Sequence, residues 1–234
     1  MQLKEINSLV ELFFKKFEQK NSKDKKKLFL TSLKNKNFPD TLTGPYTYSW
    51  ENIDTKIKIL SNYLKNIISK GERCILLSEN RPEWLISDIA IMNAGGVTVP
   101  LFTTYSENDY EYIIKDCEPK ICIVSNDEQF QKIKKYITEN ITIISIDKFD
   151  EKIEFFENIF LKDKNNLKNT TQSVITYNGD LKRNDLACII YTSGTTGNPK
   201  GVMLSHGGIL SNCEGAEEIL KSLTKKDPPV FLTW

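Results

Sequence analysis

The chain contains little that could support histidine or cysteine chemistry. His206 is the single histidine among 234 residues, so a histidine-rich metal site is disfavoured and a Ser-His-Asp triad within this chain would have to use that one side chain. The five cysteines include no C-x-x-C pair, and several stand in apolar runs. We therefore expect reduced, partly buried thiols of a cytosolic protein rather than a zinc or disulfide framework.

An excess of either charge is also absent, because 32 basic residues stand against 31 acidic ones. The net charge of +1 gives no electrostatic reason to expect nucleic acid or an anionic membrane surface as a partner. The most apolar window, residues 84–102, is interrupted by Asp88, Asn93 and Pro100, which fits a buried helix followed by a strand better than a membrane span. Residues 1–20 lack the apolar core of a signal peptide. We expect a cytoplasmic protein, with peripheral membrane contact as the alternative.

Short apolar runs alternate with amphipathic stretches at intervals of about twenty residues, a rhythm typical of βαβ units. We therefore predict an α/β fold with a mostly parallel, helix-covered sheet in a chain long enough for one large domain or two small ones. The predicted strands are residues 46–50, 73–78, 94–101 (with a helix stop), 120–125, 141–146, 185–190, 201–205 and 230–234. The predicted helices are residues 3–17, 50–68, one starting at 80–84, 107–117, 127–139, 149–161 and 206–220, with polar connections at 20–27 and 162–178.

Residues 189–206 read I-I-Y-T-S-G-T-T-G-N-P-K-G-V-M-L-S-H and suggest a loop that binds phosphate. Apolar residues end a buried strand, and a cluster of hydroxyl side chains interleaved with glycines follows. Glycines permit positive φ and let backbone N–H groups converge on an anion, while hydroxyls add donors and can place an oxygen on a metal ion. Lys200 then supplies a mobile positive charge, and Pro199 stiffens its approach.

The Walker A loop of P-loop NTPases is the obvious comparison, and it does not fit. Pro199 rather than glycine precedes Lys200, and Gly201 rather than serine or threonine follows it. A P-loop NTPase is therefore disfavoured. The other alternative is a surface turn without a ligand, which seldom combines so many hydroxyls, glycines, a proline and a lysine in this order.

Residues 191–201, Y-T-S-G-T-T-G-N-P-K-G, resemble the phosphate-loop signature of the adenylate-forming superfamily, and the match continues through V-M-L-S-H. This superfamily holds acyl-CoA synthetases, luciferases and the adenylation domains of nonribosomal peptide synthetases. N-R-P-E-W at 80–84 and G-V-T-V-P-L-F-T-T-Y-S at 96–106 are most similar to its long-chain fatty acyl-CoA synthetases. The resemblance implies the N-terminal part of the large domain of an adenylate-forming enzyme, with a helical segment at 1–45 and an incomplete α/β AMP-binding domain at 46–234.

The resemblance also implies roles for the loop residues. Lys200 would contact the departing pyrophosphate as the catalytic residue, and Thr195 would present its hydroxyl to Mg²⁺. The residues expected to wrap the β- and γ-phosphates of ATP are Thr192, Ser193, Gly194, Thr195, Thr196 and Gly197. No general base accompanies the hydroxyls, so covalent catalysis is disfavoured. His206 matches a family histidine, but Gly208 stands where many members have asparagine, so we predict that His206 caps the helix or packs behind the loop.

The resemblance implies a ligase that activates a fatty acid with ATP and Mg²⁺ to an acyl-adenylate and transfers the acyl group to CoA. Two alternatives are an enzyme that adenylates a short or aromatic acid or an amino acid, and a non-catalytic fragment that binds nucleotide or a partner protein. In the family, the Tyr-Gly-x-Thr-Glu segment, the ribose-binding aspartate, the hinge and the small C-terminal domain would lie beyond Trp234. We therefore expect a fragment that does not catalyse adenylation alone.

Overall fold

The computed structural model describes residues 3–32, 46–166, 177–193 and 198–223. Helices and strands alternate along most of these ranges. The helices are α1 (Leu9–Glu18), α2 (Ser22–Lys25), α3 (Trp50–Lys65), α4 (Pro82–Ala94), α5 (Glu107–Cys117), α6 (Asp127–Ile133), α7 (Phe156–Asn166) and α8 (His206–Leu223), with short 3-10 turns at Leu3–Glu5 and Lys134–Tyr136. The strands are β1 (Leu28–Ser32), β2 (Tyr46–Ser49), β3 (Arg73–Leu77), β4 (Val97–Leu101), β5 (Ile121–Val124), β6 (Thr142–Ser145), β7 (Glu154–Phe155), β8 (Leu186–Thr192) and β9 (Lys200–Ser205).

Seven strands form the main sheet in the order β7-β6-β5-β3-β4-β8-β9. All neighbours are parallel except β8 and β9, which form an antiparallel pair at one edge. Strands β1 and β2 form a separate antiparallel pair. The predicted α/β fold with a mostly parallel sheet is confirmed.

The central strand β3 divides the apolar core into two layers. Cys74 and Leu76 belong to a cluster with side chains of α1, α3, α4 and α7, whereas Ile75 and Leu77 belong to a cluster with side chains of α5 and α6. Successive residues of a strand point to opposite faces, so a strand covered by helices on both sides must be apolar at every position. This explains the continuous apolar run from which β3 was predicted.

Local sequence signals set several helix ends. Helix α3 begins with a capping box in which the Ser49 and Asn52 side chains each accept from the other residue's backbone N–H. Pro82 occupies the first turn of α4, as predicted, and Gly95 ends that helix with a φ of 93°. Helix α5 runs over the predicted residues.

Other predictions need correction. The helix predicted at 3–17 is divided, because the Ser8 side chain accepts from the Glu11 N–H and caps a new helix that starts at Leu9. The connection predicted at 20–27 contains α2, and the helix predicted at 149–161 begins after β7 and continues to Asn166. The helix predicted at 127–139 ends at Ile133. The strand predicted at 230–234 lies outside the described residues.

The N-terminal segment predicted as helical at 1–45 also contains β1, which pairs with β2. Its helix α1 places Val10, Phe13 and Phe14 in the same apolar cluster as α3 and α4. The boundary predicted at residue 45 stays a prediction, because residues 33–45 are not described. Among the helices that are described, none is long and apolar enough to cross a membrane.

Candidate functional site

Strands β8 and β9 place the two arms of the predicted phosphate loop side by side. Thr192 and Lys200 are direct partners across this antiparallel hairpin, as are Tyr191 and Gly201. Strand β8 runs parallel to β4, so the hairpin opens at the carboxyl edge of the parallel strands. Open α/β sheets bind ligands at this edge. The chain therefore leaves and re-enters the sheet at a position suited to hold an anion between the two arms.

The ends of the loop are accessible. Thr192, Ser193 and Lys200 are exposed, whereas Pro199 is buried immediately before the lysine. A buried proline with fixed φ restricts the path by which the chain re-enters the sheet. Gly194, Thr195, Thr196 and Gly197 lie outside the described residues, so their roles toward phosphate and Mg²⁺ stay predictions.

Tyr191, the last buried residue before the loop, has specific contacts on several sides. Its hydroxyl donates to the Asp116 carboxylate, and its backbone carbonyl accepts from the Tyr105 hydroxyl at 2.7 Å. Burial, and then the bond to Asp116, raises the pKa of Tyr191, so the phenol stays protonated and acts as a donor. A Cβ at Gly201 would come within 2.9 Å of the Ile189 side chain and 3.2 Å of the Tyr191 ring. The ring and the returning arm therefore pack closely because position 201 is glycine.

The sequence analysis did not assign a role to Tyr105 or Asp116. Tyr105 appeared only as part of the motif at 96–106, and Asp116 in no motif. Because their contacts with Tyr191 span 86 and 75 residues, no local pattern could have revealed them.

The N-R-P-E-W motif forms a largely buried charge network at the same edge of the sheet. The Arg81 guanidinium donates to both carboxylate oxygens of Asp147 at 3.0 and 3.1 Å and to Glu83 at 2.8 Å. The Tyr48 hydroxyl donates to the other oxygen of Glu83 at 2.8 Å. Burial raises the pKa of Asp147, and the Arg81 guanidinium opposes that shift. The network joins the segments that follow β3 and β6 to β2, so we interpret the motif as structural.

His206 lies at the start of α8, fully buried. Its Nδ1 accepts from the Leu9 N–H at 3.4 Å, and burial lowers its pKa to about 4. The Arg183 side chain donates to the carbonyls of Ile6 and Leu3 at 2.7 and 3.1 Å and so joins the same region to the N-terminal turn. His206 therefore packs against the start of α1, and its predicted position behind the loop stays a prediction.

No group of three or more histidine, cysteine, aspartate or glutamate side chains is arranged to hold a metal ion within residues 3–32, 46–166, 177–193 and 198–223. The cysteines at 74, 117, 122, 188 and 213 are free thiols, three of them buried. Burial raises the pKa of Cys74 and Cys117 to about 12, so these two are inert, protonated core residues at neutral pH.

Comparison with known proteins identifies the class of protein to which this chain belongs. A family model described as "AMP-binding enzyme" matches residues 17–233. The chain therefore belongs to the AMP-binding enzyme family, and the predicted membership of the adenylate-forming superfamily is confirmed.

Two curated relatives are named as a fatty acyl-CoA synthetase and a long-chain-fatty-acid–CoA ligase. The chain is 33% identical to fatty acyl-CoA synthetase A of Dictyostelium discoideum over 153 residues, which cover 64% of this chain and 23% of that protein. It is 32% identical to the long-chain-fatty-acid–CoA ligase ACSBG2 of Rattus norvegicus over 179 residues, which cover 73% of this chain and 26% of that ligase. The chain thus spans about a quarter of the length of these curated relatives and matches their N-terminal portion.

Solved structures share the fold. The crystal structure of the anthranilate CoA ligase AuaEII in complex with anthranoyl-AMP superposes with a TM-score of 0.66 at 21% identity, covering 88% of this chain and 36% of that chain. This similarity confirms the architecture predicted for the chain.

Proposed function

We propose that this chain provides the phosphate-binding part of a long-chain fatty acid–CoA ligase. The observation that carries the proposal is the direct pairing of Thr192 with Lys200 at the carboxyl edge of the sheet, at the two ends of the glycine- and hydroxyl-rich loop. Family membership supports an enzyme that uses ATP, and the names of the curated relatives support a fatty acid as the substrate.

The first step would join a fatty acid to AMP. A carboxylate oxygen attacks the α-phosphorus of ATP, the bond from that phosphorus to the oxygen bridging to the β-phosphate breaks, and pyrophosphate leaves. Two anions must approach each other, so their charges have to be neutralised in advance. Lys200 is exposed on the returning arm and would contact the leaving pyrophosphate, and the hydroxyls of the exposed Thr192 and Ser193 would add donors at the other arm.

The second step would transfer the acyl group. The sulfur of CoA attacks the acyl carbon, AMP leaves with the electron pair of the broken bond, and the thiol proton passes to solvent. The described residues contain no group that we assign to this step. The chain spans about a quarter of its relatives' length, so the complete reaction is proposed for the whole protein and not for this part alone.

Mg²⁺ would enter bound to ATP. Thr192 and Ser193 present exposed hydroxyl oxygens at the mouth of the loop, and hard oxygen donors are what Mg²⁺ accepts. The ion would supply further charge neutralisation at the phosphates. Thr195 remains the proposed protein contact to the ion.

Pyrophosphate release by the protein expressed from its whole native reading frame tests the proposal. Mg-ATP and CoA are supplied with acids from acetate through long-chain fatty acids, and with aromatic acids and amino acids. We expect the rate to be highest with long-chain acids. A maximum with an aromatic acid would support the alternative suggested by the fold shared with the anthranilate ligase.

The variant Lys200→Ala tests the loop itself. We expect kcat to fall by about 100-fold or more, the effect of removing one preorganised contact to developing charge. Lys152→Ala is the matched control, because it removes one positive charge from an exposed turn next to β7, at the opposite edge of the sheet. Equal rates for the two variants would contradict the role proposed for Lys200, and no release with any acid would contradict the ligase.

A further inference from the structure

The strand β8, whose end carries the loop, lies between β4 and β9 in the sheet. Among the described residues, β4 and β8 share one registered pair, Thr98 with Cys188, whereas β8 continues to Thr192. Six residues of β8 pair with β9, and Tyr191 is buried in the same apolar cluster as Val99 and Leu101 of β4. Thr192 is exposed, so the outgoing arm of the loop takes its position from Tyr191, the last buried residue before it.

Two side chains that hydrogen-bond to Tyr191 come from one segment, the connection after β4 and the helix α5 that follows it. Tyr105 immediately precedes Ser106, the N-cap of α5, and its hydroxyl donates to the backbone carbonyl of Tyr191 at 2.7 Å. Asp116, in the last turn of α5, accepts from the Tyr191 hydroxyl. The two ends of one helix therefore hold the backbone and the side chain of the same residue.

The hydrogen bonds of Tyr191 with Tyr105 and Asp116 also restrain both arms of the loop. Tyr191 directly precedes Thr192 on the outgoing arm, and its ring packs against Gly201, which directly follows Lys200 on the returning arm. A shift of Tyr191 would therefore move Thr192 relative to Lys200. These two residues are where the outgoing arm of the loop ends its strand and the returning arm begins its own.

We propose that Tyr105 and Asp116 are positioning residues for the phosphate loop, which act through Tyr191 and do not touch the nucleotide. The effect on ATP use rests on the proposed function, whereas the effect on the hairpin does not. Without the Tyr105 hydroxyl, the Tyr191 carbonyl loses a donor, and the hairpin samples positions in which Thr192 and Lys200 are no longer opposed.

The variant Tyr105→Phe isolates this contact. The Tyr105 ring packs edge-on against Phe102 and Tyr110, with ring centres 5.3 and 6.0 Å apart, and phenylalanine keeps both contacts. Only the hydroxyl is lost. Tyr136→Phe is the matched control, because it removes another phenol that donates to a backbone carbonyl, that of Glu107 at 3.2 Å.

Limited trypsin digestion measures the hairpin directly. Cleavage after Lys200, relative to cleavage after Lys152 in an exposed turn, reports how often the hairpin opens. We expect Tyr105→Phe to raise this ratio about fivefold, the change in population expected for one lost hydrogen bond. Tyr136→Phe should leave the ratio unchanged. Asp116→Ala should act like Tyr105→Phe, whereas Asp116→Asn keeps an acceptor for the Tyr191 hydroxyl and should restore the wild-type ratio.

Steady-state kinetics supply the second readout, measured on the protein expressed from its whole native reading frame. We expect Tyr105→Phe to raise the KM for Mg-ATP about fivefold, with the KM for the acid unaffected and Tm lowered by no more than about 4 °C. A Tyr105→Phe protein that matches Tyr136→Phe in the digestion ratio would overturn the inference. If the wild-type protein releases no pyrophosphate with any acid, the proposed function fails, and the digestion ratio alone still decides whether Tyr105 positions the hairpin.

Discussion

Strands β3 and β9 belong to the same sheet and have opposite surroundings. Strand β3 lies at its centre, where Cys74, Ile75, Leu76 and Leu77 are completely buried between two layers of helices. Strand β9 lies at the edge, and its Met203 side chain is 67% exposed. Burial on both faces holds β3 in place through many apolar contacts, whereas the hairpin of β8 and β9 at the edge depends on a few specific contacts. The stability of the protein should therefore depend far more on β3 than on β9.

The largest effect should come from matched truncations in these two strands. Leu76→Ala removes buried apolar volume at the centre and should lower the free energy of unfolding by about 2–5 kcal/mol. Met203→Ala at the exposed edge should change it by no more than about 0.5 kcal/mol. Urea denaturation of both variants measures the difference. Similar losses in the two variants would contradict the contrast between centre and edge.

The same contrast explains what the sequence could predict. Strands β3, β5 and β6 were located to within about one residue because burial produces continuous apolar runs, whereas the start of β4 was not separated from the helix stop before it. The positions of β8 and β9 were also predicted, but their antiparallel pairing was not, since hydrophobic pattern does not specify strand direction. The two-residue strand β7 is too short to leave a pattern.

The candidate site shows a similar limit. Lys200, Thr192 and Ser193 were named from the loop motif, and the structure brings Lys200 and Thr192 directly opposite each other. The contacts of Tyr191 with Tyr105 and Asp116 join distant parts of the chain through single hydroxyl groups. Such contacts depend on tertiary packing and have no periodicity, so they became visible only in the structure.

A second prediction sharpens the comparison within α8, the helix that follows the hairpin. A Cβ at Gly207 would lie 2.9 Å from the Arg183 carbonyl oxygen, whereas a Cβ at Gly215 would meet nothing within 4 Å. We expect Gly207→Ala to destabilise the protein by about 1–3 kcal/mol, because the conflicting atom belongs to the backbone and cannot move freely.

Gly215→Ala is the control in the same helix. It should stabilise by up to about 1 kcal/mol, because alanine is the better helix former at an unobstructed position. Thermal and urea unfolding of both variants measure whether Gly207→Ala lowers and Gly215→Ala raises the free energy of unfolding. A neutral Gly207→Ala would show that the start of α8 is not tightly held against residue 183.

A smaller effect should appear as a dependence of stability on pH, because His206 joins the start of α8 to the N-terminal helix. Burial lowers the pKa of His206 from 6.5 to about 4 in the folded protein, with Asp185 opposing that shift and Lys70 adding to it. The folded histidine is therefore neutral where the unfolded one already binds a proton. Its contribution is complete above pH 6.5 and declines as the pH falls toward 4. We expect a loss of about 1–2 kcal/mol between pH 7 and pH 5.

Urea denaturation of the wild type and of His206→Gln at pH 7, 6 and 5 isolates the contribution of His206 to the pH dependence of stability. Carboxylates titrate in both proteins, so their contribution cancels when the two stabilities are subtracted at each pH. Glutamine cannot gain the proton and still offers an oxygen to the Leu9 N–H, so the difference between the proteins should narrow as the pH falls. A constant difference would mean that His206 is accessible to protons in the folded state. The start of α8 would then be as loosely held as β9 before it, and the rigidly packed part of the protein would begin only further along the chain.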